Sequence, residues 1–267
     1  MIEVIAYEEL RGNKKGVVEE EFEEVVNELK EKYNAKLLSV EEEEGNLYTK
    51  VGELEIKFNS FLDYIDFCLK YGADVEVISP SKLKMDSKEF GNTIAHIIQF
   101  FSNFCKKYNV AFNAFVREGK DIDIDKYREG IYDEDDIHEL QEDGYLRIKV
   151  VFEVEGKSEE VVIKNIIQSL DENIHINKII TKALDDKEGF HGLIAVDMLC
   201  KPFEIVEIAY KFLPVAVSIG GNNIELDISE LQDIGNELSG AIFELSHAAK
   251  IKRGGTNASS IKVYENR

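Results

Sequence analysis

Tryptophan is absent from this chain of 267 residues, and cysteine, methionine and proline occur three times each. Glutamine is confined to Gln99, Gln141, Gln168 and Gln232. The cysteines, Cys68, Cys105 and Cys200, are odd in number, far apart and set in apolar segments. That spacing excludes a disulfide framework and a zinc or redox motif, and predicts three small buried hydrophobes in a reducing compartment. No apolar run reaches the length of about 18 residues that a membrane span needs. The opening MIEVIAYEELRG also lacks the basic and apolar regions of a signal peptide. A cytoplasmic protein with no membrane partner is the expectation.

Positive charge is the other deficit. Lysine and arginine number 32 against 53 acids, for a formal net charge of -21 and a pI of about 4.7. A body so acidic repels a phosphate backbone, which argues against a nucleic-acid partner. Abundant Glu and Lys with few thermolabile residues is the balance of proteins from hot surroundings. Hydrophobic residues make up 44%, enough for a sizeable core.

Catalytic signatures are missing as well. None of the five histidines pairs with another at i, i+4, and no HExxH, nucleophile elbow, CxxC or dinucleotide fingerprint occurs. His191 and Asp197 share an expected strand at an even separation, which puts them on one face. Asp121, Asp123 and Asp125 alternate like the start of a calcium loop. The positions that need glycine and glutamate hold Lys126 and Tyr132, so the motif fails and no metal site is expected. No cofactor is expected either.

What the chain does have is a long amphipathic segment, Asp86 to Lys107, that recurs at Ser229 to Lys250. Laying Gly91-Asn92 over Gly235-Asn236 puts Phe90, Ile94, Ile97 and Phe101 on Ile234, Leu238, Ala241 and Leu245. The same shift of 144 residues carries Gly12 to Gly156, Val18 to Val162 and Phe22 to Ile166. Expected elements repeat in the same order. A strand (2–7), a helix (17–33), two strands (35–40 and 47–58), a helix (61–71) and a strand (75–78) make up the first half. The 47–58 segment changes the phase of its alternation at Gly52, which predicts one strand bent at a bulge or, as the alternative, a hairpin with a tight two-residue turn. Ser60 and Gly72 cap its following helix. The second half runs strand (145–154), helix (159–170), a hairpin pair (174–183 and 190–199), a helix opened by Pro202 and a strand (215–219). Further strands are expected at 110–116 and 261–264.

These patterns predict an α+β protein of two duplicated ferredoxin-like (βαββαβ) units, each extended by a long amphipathic helix and a strand. Their boundaries are 1–117 and 145–267. The segment 118–144, with twelve acids against three bases, is the expected acidic linker, part of it helical. The stretch from Tyr71 to Leu83 (YGADVEVISPSKL), with the helix before it, resembles the carboxy-terminal extension of WYL-domain regulators. That resemblance implies a ferredoxin-like fold and no activity.

Function is less legible. The absence of a catalytic constellation and the broad apolar stripes of the long helices favour a noncatalytic interaction or assembly protein, acting on a protein partner or on itself as a homodimer. The alternative is an anionic small-molecule site, on an enzyme or a binding protein, between the two units. Its expected ligand-binding residues are Gly220, Gly221, Asn222, Lys252, Arg253, Gly254, Gly255 and Thr256, where backbone amides and cations could cradle an anion. A third reading follows from the order of elements, which resembles the paired ferredoxin-like RNA-binding proteins of CRISPR systems. The net charge opposes it.

Overall fold

A computed structural model describes residues 1–111, 122–185, 188–221 and 223–252. The expected strands at 110–116 and 261–264 fall largely or wholly outside that range. In chain order the first elements are β1 (Ile2–Gly12), α1 (Lys15–Tyr33), β2 (Lys36–Glu44), β3 (Tyr48–Phe58), α2 (Phe61–Tyr71), β4 (Asp74–Ser79), β5 (Lys82–Asp86) and α3 (Ser87–Tyr108). Two short acidic helices follow, α4 (Ile124–Glu129) and α5 (Glu134–Glu142). Then come β6 (Leu146–Gly156), α6 (Glu159–Ser169), β7 (His175–Ala183), β8 (Phe190–Cys200), α7 (Pro202–Phe212), β9 (Ala216–Ile219), β10 (Asn223–Asp227) and α8 (Ile228–Lys252). The protein is a mixed α+β structure with antiparallel sheets and eight helices among the described residues.

The chain divides into two compact units. Unit 1 takes Met1–Lys84, Tyr108–Val110 and the described residues from Glu225 on. Its four-stranded sheet has the order β2-β3-β1-β4. Alternation along β1 sends Ile2, Val4 and Ala6 to one face, matched across β3 by Phe58, Ile56 and Leu54. Val18, Phe22, Val26 and Leu29 of α1 and the aromatic-rich α2 bury against that face. Each such side chain contributes about 1.5–3 kcal/mol by leaving water.

The expected phase slip at Gly52 does not occur. The β1–β3 ladder runs without a break, and even-numbered residues of β3 face the helices throughout. Gly52 belongs to that inward series. It is glycine because a Cβ there would stand 2.6 Å from the Phe22 ring. Thr49 and Val51 simply face the other side. The irregularity lies in β2, between Leu37 and Ser39. The strand expected over 35–40 runs on through Glu44.

The long helix of unit 1 is α8, from the far end of the sequence. It lies along α2 and the edge strand β4. An edge strand exposes unpaired amides and carbonyls, and α8 satisfies those of β4 with a polar stripe. Gln232 Oε1 accepts the Val77 amide (3.2 Å). Asn236 accepts the Val75 amide (2.8 Å) and donates to the Val75 carbonyl (3.1 Å). Ser239 Oγ donates to the Ala73 carbonyl (2.9 Å). Residues at i, i+4 and i+7 share one helix face, so a single stripe reaches the alternate residues Val77 and Val75 of β4 and Ala73 just before it.

Unit 2 takes Met85–Lys107 and the described residues of 111–224. Its sheet has the order β7-β8-β6-β9, the same connectivity as unit 1. Ile148, Val150 and Phe152 of β6 and Ile194, Val196 and Met198 of β8 form its core face, beneath α6 and α7. The long helix here is α3, where Phe101 meets Tyr210 of α7 with ring centroids 5.3 Å apart. The long helices therefore sit with the opposite sequence half from the one the duplicated segments 1–117 and 145–267 assign them. The 118–144 segment contributes α4 and α5, the latter held by a capping box between Asp133 and Asp136.

The overlay of the two long helices also needs correction. Asp86 accepts the Glu89 amide and Asp227 accepts the Glu230 amide, so equivalent caps lie 141 residues apart, not 144. On that register the buried Phe90, Thr93, Ile94, Ile97, Phe101 and Phe104 fall on Leu231, Ile234, Gly235, Leu238, Ile242 and Leu245. Gly235 thus replaces Ile94, not Gly91. A three-residue slip preserves an apolar stripe of period 3.6, so the pattern alone could not detect it.

Candidate functional site

Each sheet has a second face opposite its main helix layer. In unit 2 the register lays residues of that face in rows across the strands. The first row is His175, Leu199 and Arg147. Leu199 is fully buried, and Tyr145 stacks its ring edge on His175 with centroids 4.9 Å apart. The second row is Lys178, Asp197, Lys149 and Ser218. The third is Ile180, Ala195, Val151 and Ala216, a flat apolar strip. Lys182, Leu193 and Glu153 follow.

Asp197 anchors the second row. Arg147 grips it with two parallel bonds, Nε at 3.1 Å and Nη2 at 2.8 Å. Asn177 Nδ2 adds a third at 3.1 Å. A β-bulge between Ile176 and Lys178 turns Asn177 inward, where it is only 5% exposed. Its Oδ1 then accepts the amides of Ile131 (3.1 Å) and Tyr132 (2.9 Å), tying down the segment between α4 and α5. Tyr132 in turn meets His175 Nδ1 at 3.2 Å. Burial pushes the Asp197 carboxyl up, but the Arg147 and Asn177 hydrogen bonds outweigh it and hold the acid below its ordinary value. The acid is thus ionised and its charge is already used. Among the described residues Lys149, Lys178 and Lys182 have no carboxylate within ion-pair distance, so they offer free positive charge on this face.

His191 and Asp197 do share the open face, but they are not partners. His191 Nδ1 meets Asp185 at 2.9 Å and Nε2 meets Glu153 at 3.5 Å. The hydrogen bond to Asp185 raises its pKa. Gly220 stands at the edge of the network, where its amide donates to the Arg147 carbonyl (2.8 Å), so that amide is occupied. Gly221 adopts φ +90° in the turn before β10. Lys252 ends α8. Asn222, Arg253, Gly254, Gly255 and Thr256 lie outside the described residues. Asp123 stands at the N-cap of α4, and Asp125 pairs with Arg128 at 3.3 Å. No cluster of three or more His, Cys, Asp or Glu able to hold a metal occurs among the described residues.

The open face of unit 1 has the opposite character. Glu3, Glu9, Glu41, Glu43, Glu53, Glu55, Asp74 and Glu76 alternate onto it, against only Arg11, Lys36 and Lys57. Its centre holds Ile5, Val51 and the exposed ring of Tyr7. At one end of the unit a cleft of about 660 Å³ is floored by Tyr33 and Phe58 and walled by charges of both signs, including Lys32, Lys36, Lys57 and Glu55.

The inward face of unit 1 holds a residue that sequence reasoning missed. Glu8 continues the series Ile2, Val4, Ala6, and is 6% exposed. Its Oε2 is sealed from solvent without a hydrogen-bond partner. Burial pushes its pKa up to about 8. Tyr71, nearby, donates instead to Glu28 (2.9 Å). The even-number alternation was the available signal. Cys68 and Cys200 are buried and Cys105 half-buried, all as free thiols, and burial raises the pKa of each. No helix among the described residues is long and apolar enough to cross a membrane.

Comparison with known proteins places this chain in one family. The MJ0538 family model matches residues 3–253. A protein of Methanocaldococcus jannaschii described as uncharacterized protein MJ0538 is 55% identical over 260 residues, covering 95% of this chain and 100% of the relative. No solved structure matches. The chain belongs to the MJ0538 family.

Proposed function

We propose that the protein is a noncatalytic cytoplasmic interaction protein, and that it docks a protein partner on the open sheet face of unit 2. The observation that carries this reading is the strip Ile180–Ala195–Val151–Ala216. Ile180 is 60% exposed at one end, and Ala216 of the edge strand is exposed at the other. A flat apolar strip bordered by unpaired lysines suits a protein surface with acidic character better than a small ligand, which needs concavity. The Arg147–Asp197–Asn177 network beside it acts as a brace that fixes the strand faces, because a bidentate pair with low exposure has little freedom.

The same reading takes the two units as ferredoxin-like copies of one ancestral module. In support, both have the βαββαβ order and strand order 2-3-1-4. Gly12 meets Val18 as Gly156 meets Val162, each a close Cβ approach. The anionic-ligand alternative rests on the turn at Gly220–Asn222 and the tail from Lys252 to Thr256. A thermal-shift screen with nucleotides and phosphorylated metabolites separates it, since a docking protein should show no shift. The RNA reading is opposed by the eight carboxylates on the open face of unit 1, where a ferredoxin-like nucleic-acid binder would need cations.

Affinity capture from extracts of the cells that make the protein tests the docking face. The intact chain should retain a protein that the Ile180→Asp variant releases at least tenfold more readily. Equal retention by both would place the partner elsewhere.

A further inference from the structure

We infer that the docking face of unit 2 accepts a second copy of this chain, through the acidic open face of that copy's unit 1. The inference rests on the proposed docking role and names its partner.

The two faces are complementary in charge and relief. Unit 2 offers Lys149, Lys178 and Lys182 around a strip of small residues with Ala195 and Val151 at its centre, while Arg147 is spent on Asp197 and Glu134 and the acids Glu153 and Glu155 lie beyond the strip. Unit 1 offers Glu3, Glu53, Glu55 and Glu76 around Ile5 and a protruding Tyr7. Sheets that pack face to face stand about 10 Å apart. Small residues on one side leave room for a tyrosine ring from the other. Glu53 and Glu76 have no cation partner among the described residues, since Glu53 accepts from Ser39 (2.8 Å) and Glu76 from Tyr7 (3.4 Å). Lys178 and Lys182 likewise lack carboxylate partners. Charges unspent within the chain are free for a partner.

Net charge opposes self-association, since each copy carries -21. Range decides the matter. At about 0.15 M salt the screening length is about 8 Å, so distant charges are muted while facing charges are not. Near 1 M salt it falls to about 3 Å and the facing pairs weaken too. Exposed ion pairs are individually weak, so the contact should be modest and concentration-dependent. The two faces differ, so the contact is heterologous, and it either closes on itself or extends.

Two charge-reversed forms of the full chain test this by sedimentation equilibrium. One carries Glu53→Lys and Glu76→Lys, the other Lys178→Glu and Lys182→Glu. The natural chain should gain mass with concentration near 0.15 M salt and lose that gain near 1 M. Each reversed form alone should dissociate at least tenfold more readily, because its two faces now bear like charge. An equal mixture should restore association, because each form supplies the face the other needs. If a reversed form fails to fold by circular dichroism, Lys178→Gln with Lys182→Gln replaces it, with a smaller loss expected. A natural chain that stays monomeric throughout would overturn the second-copy partner, while leaving the docking role to the capture experiment. Association unaffected by either reversal, or not restored on mixing, would overturn the pairing of these two faces.

Discussion

Replacing Glu8 by glutamine should stabilise unit 1 increasingly as pH rises. Glu8 lies on the helix-covered face of β1 with a sealed oxygen that has no partner, and burial raises its pKa from an ordinary 4.5 to about 8. Between those values the folded chain holds a proton that the unfolded chain has released. The folded state binds more protons, so stability falls as pH climbs through the window. The contribution is full below about pH 4.5 and is lost by about pH 8. One pKa unit is worth 1.36 kcal/mol, so the whole window amounts to about 5 kcal/mol. A chain with so many other acids has its own pH dependence, so the difference between natural and variant proteins is the quantity to follow. Urea unfolding from pH 5 to pH 9 should give that difference a steep slope. Parallel curves would mean that Glu8 is paired or solvated.

Adding a single methyl group at Gly235 should destabilise unit 1 by about 2–4 kcal/mol. A Cβ there would lie 2.0 Å from the Tyr64 hydroxyl and 2.9 Å from Val75 Cγ2. Tyr64 is fully buried, and its hydroxyl donates to the Leu231 carbonyl at 2.8 Å, so it cannot yield without breaking a buried bond. The gain of about 1 kcal/mol from removing a helical glycine does not offset that loss. The register of 141 residues supplies the compensating change. Unit 2 holds Ile205 where unit 1 has Tyr64, and Ile94 where unit 1 has Gly235. Tyr64→Ile with Gly235→Ile should therefore cost less than Gly235→Ile alone. Denaturant titration of the two single variants and the pair measures the coupling, which should exceed about 2 kcal/mol. Additive effects would contradict the register.

That pair shows where the sequence stopped being informative. Amphipathic stripes revealed both long helices, and element order revealed a repeated succession of strands and helices, while the order of strands in the sheets needed the structure. Their alignment was three residues out, because i+3 and i+4 positions share a face. The true register needed the Asp86 and Asp227 caps. The stripe Gln232, Asn236 and Ser239 is visible as spacing, but nothing local says that it meets a strand edge rather than water. Val51 misled the reading of β3 because the inward residue beside it, Gly52, has no side chain to mark the face. The five-residue strands β5 and β10 are too short to announce themselves. Within unit 1, Glu225 of β10 pairs with both Lys82 and Lys84 of β5. The Arg147–Asp197–Asn177 network joins residues far apart in the chain through a bulge and two ladder registers, none of which a single sequence encodes locally. Glu8, in contrast, was fully legible from alternation and went unread.

Hydrogen exchange on the intact chain, free and with its bound partner, tests docking on unit 2 most directly. Exchange in β7 and β8, from Lys178 to Lys182 and from Leu193 to Asp197, should slow on binding. Exchange in α6 and α7, on the opposite side of that sheet, should stay unchanged. Protection confined to α6 and α7, or absent from the strip around Ile180, would contradict the account.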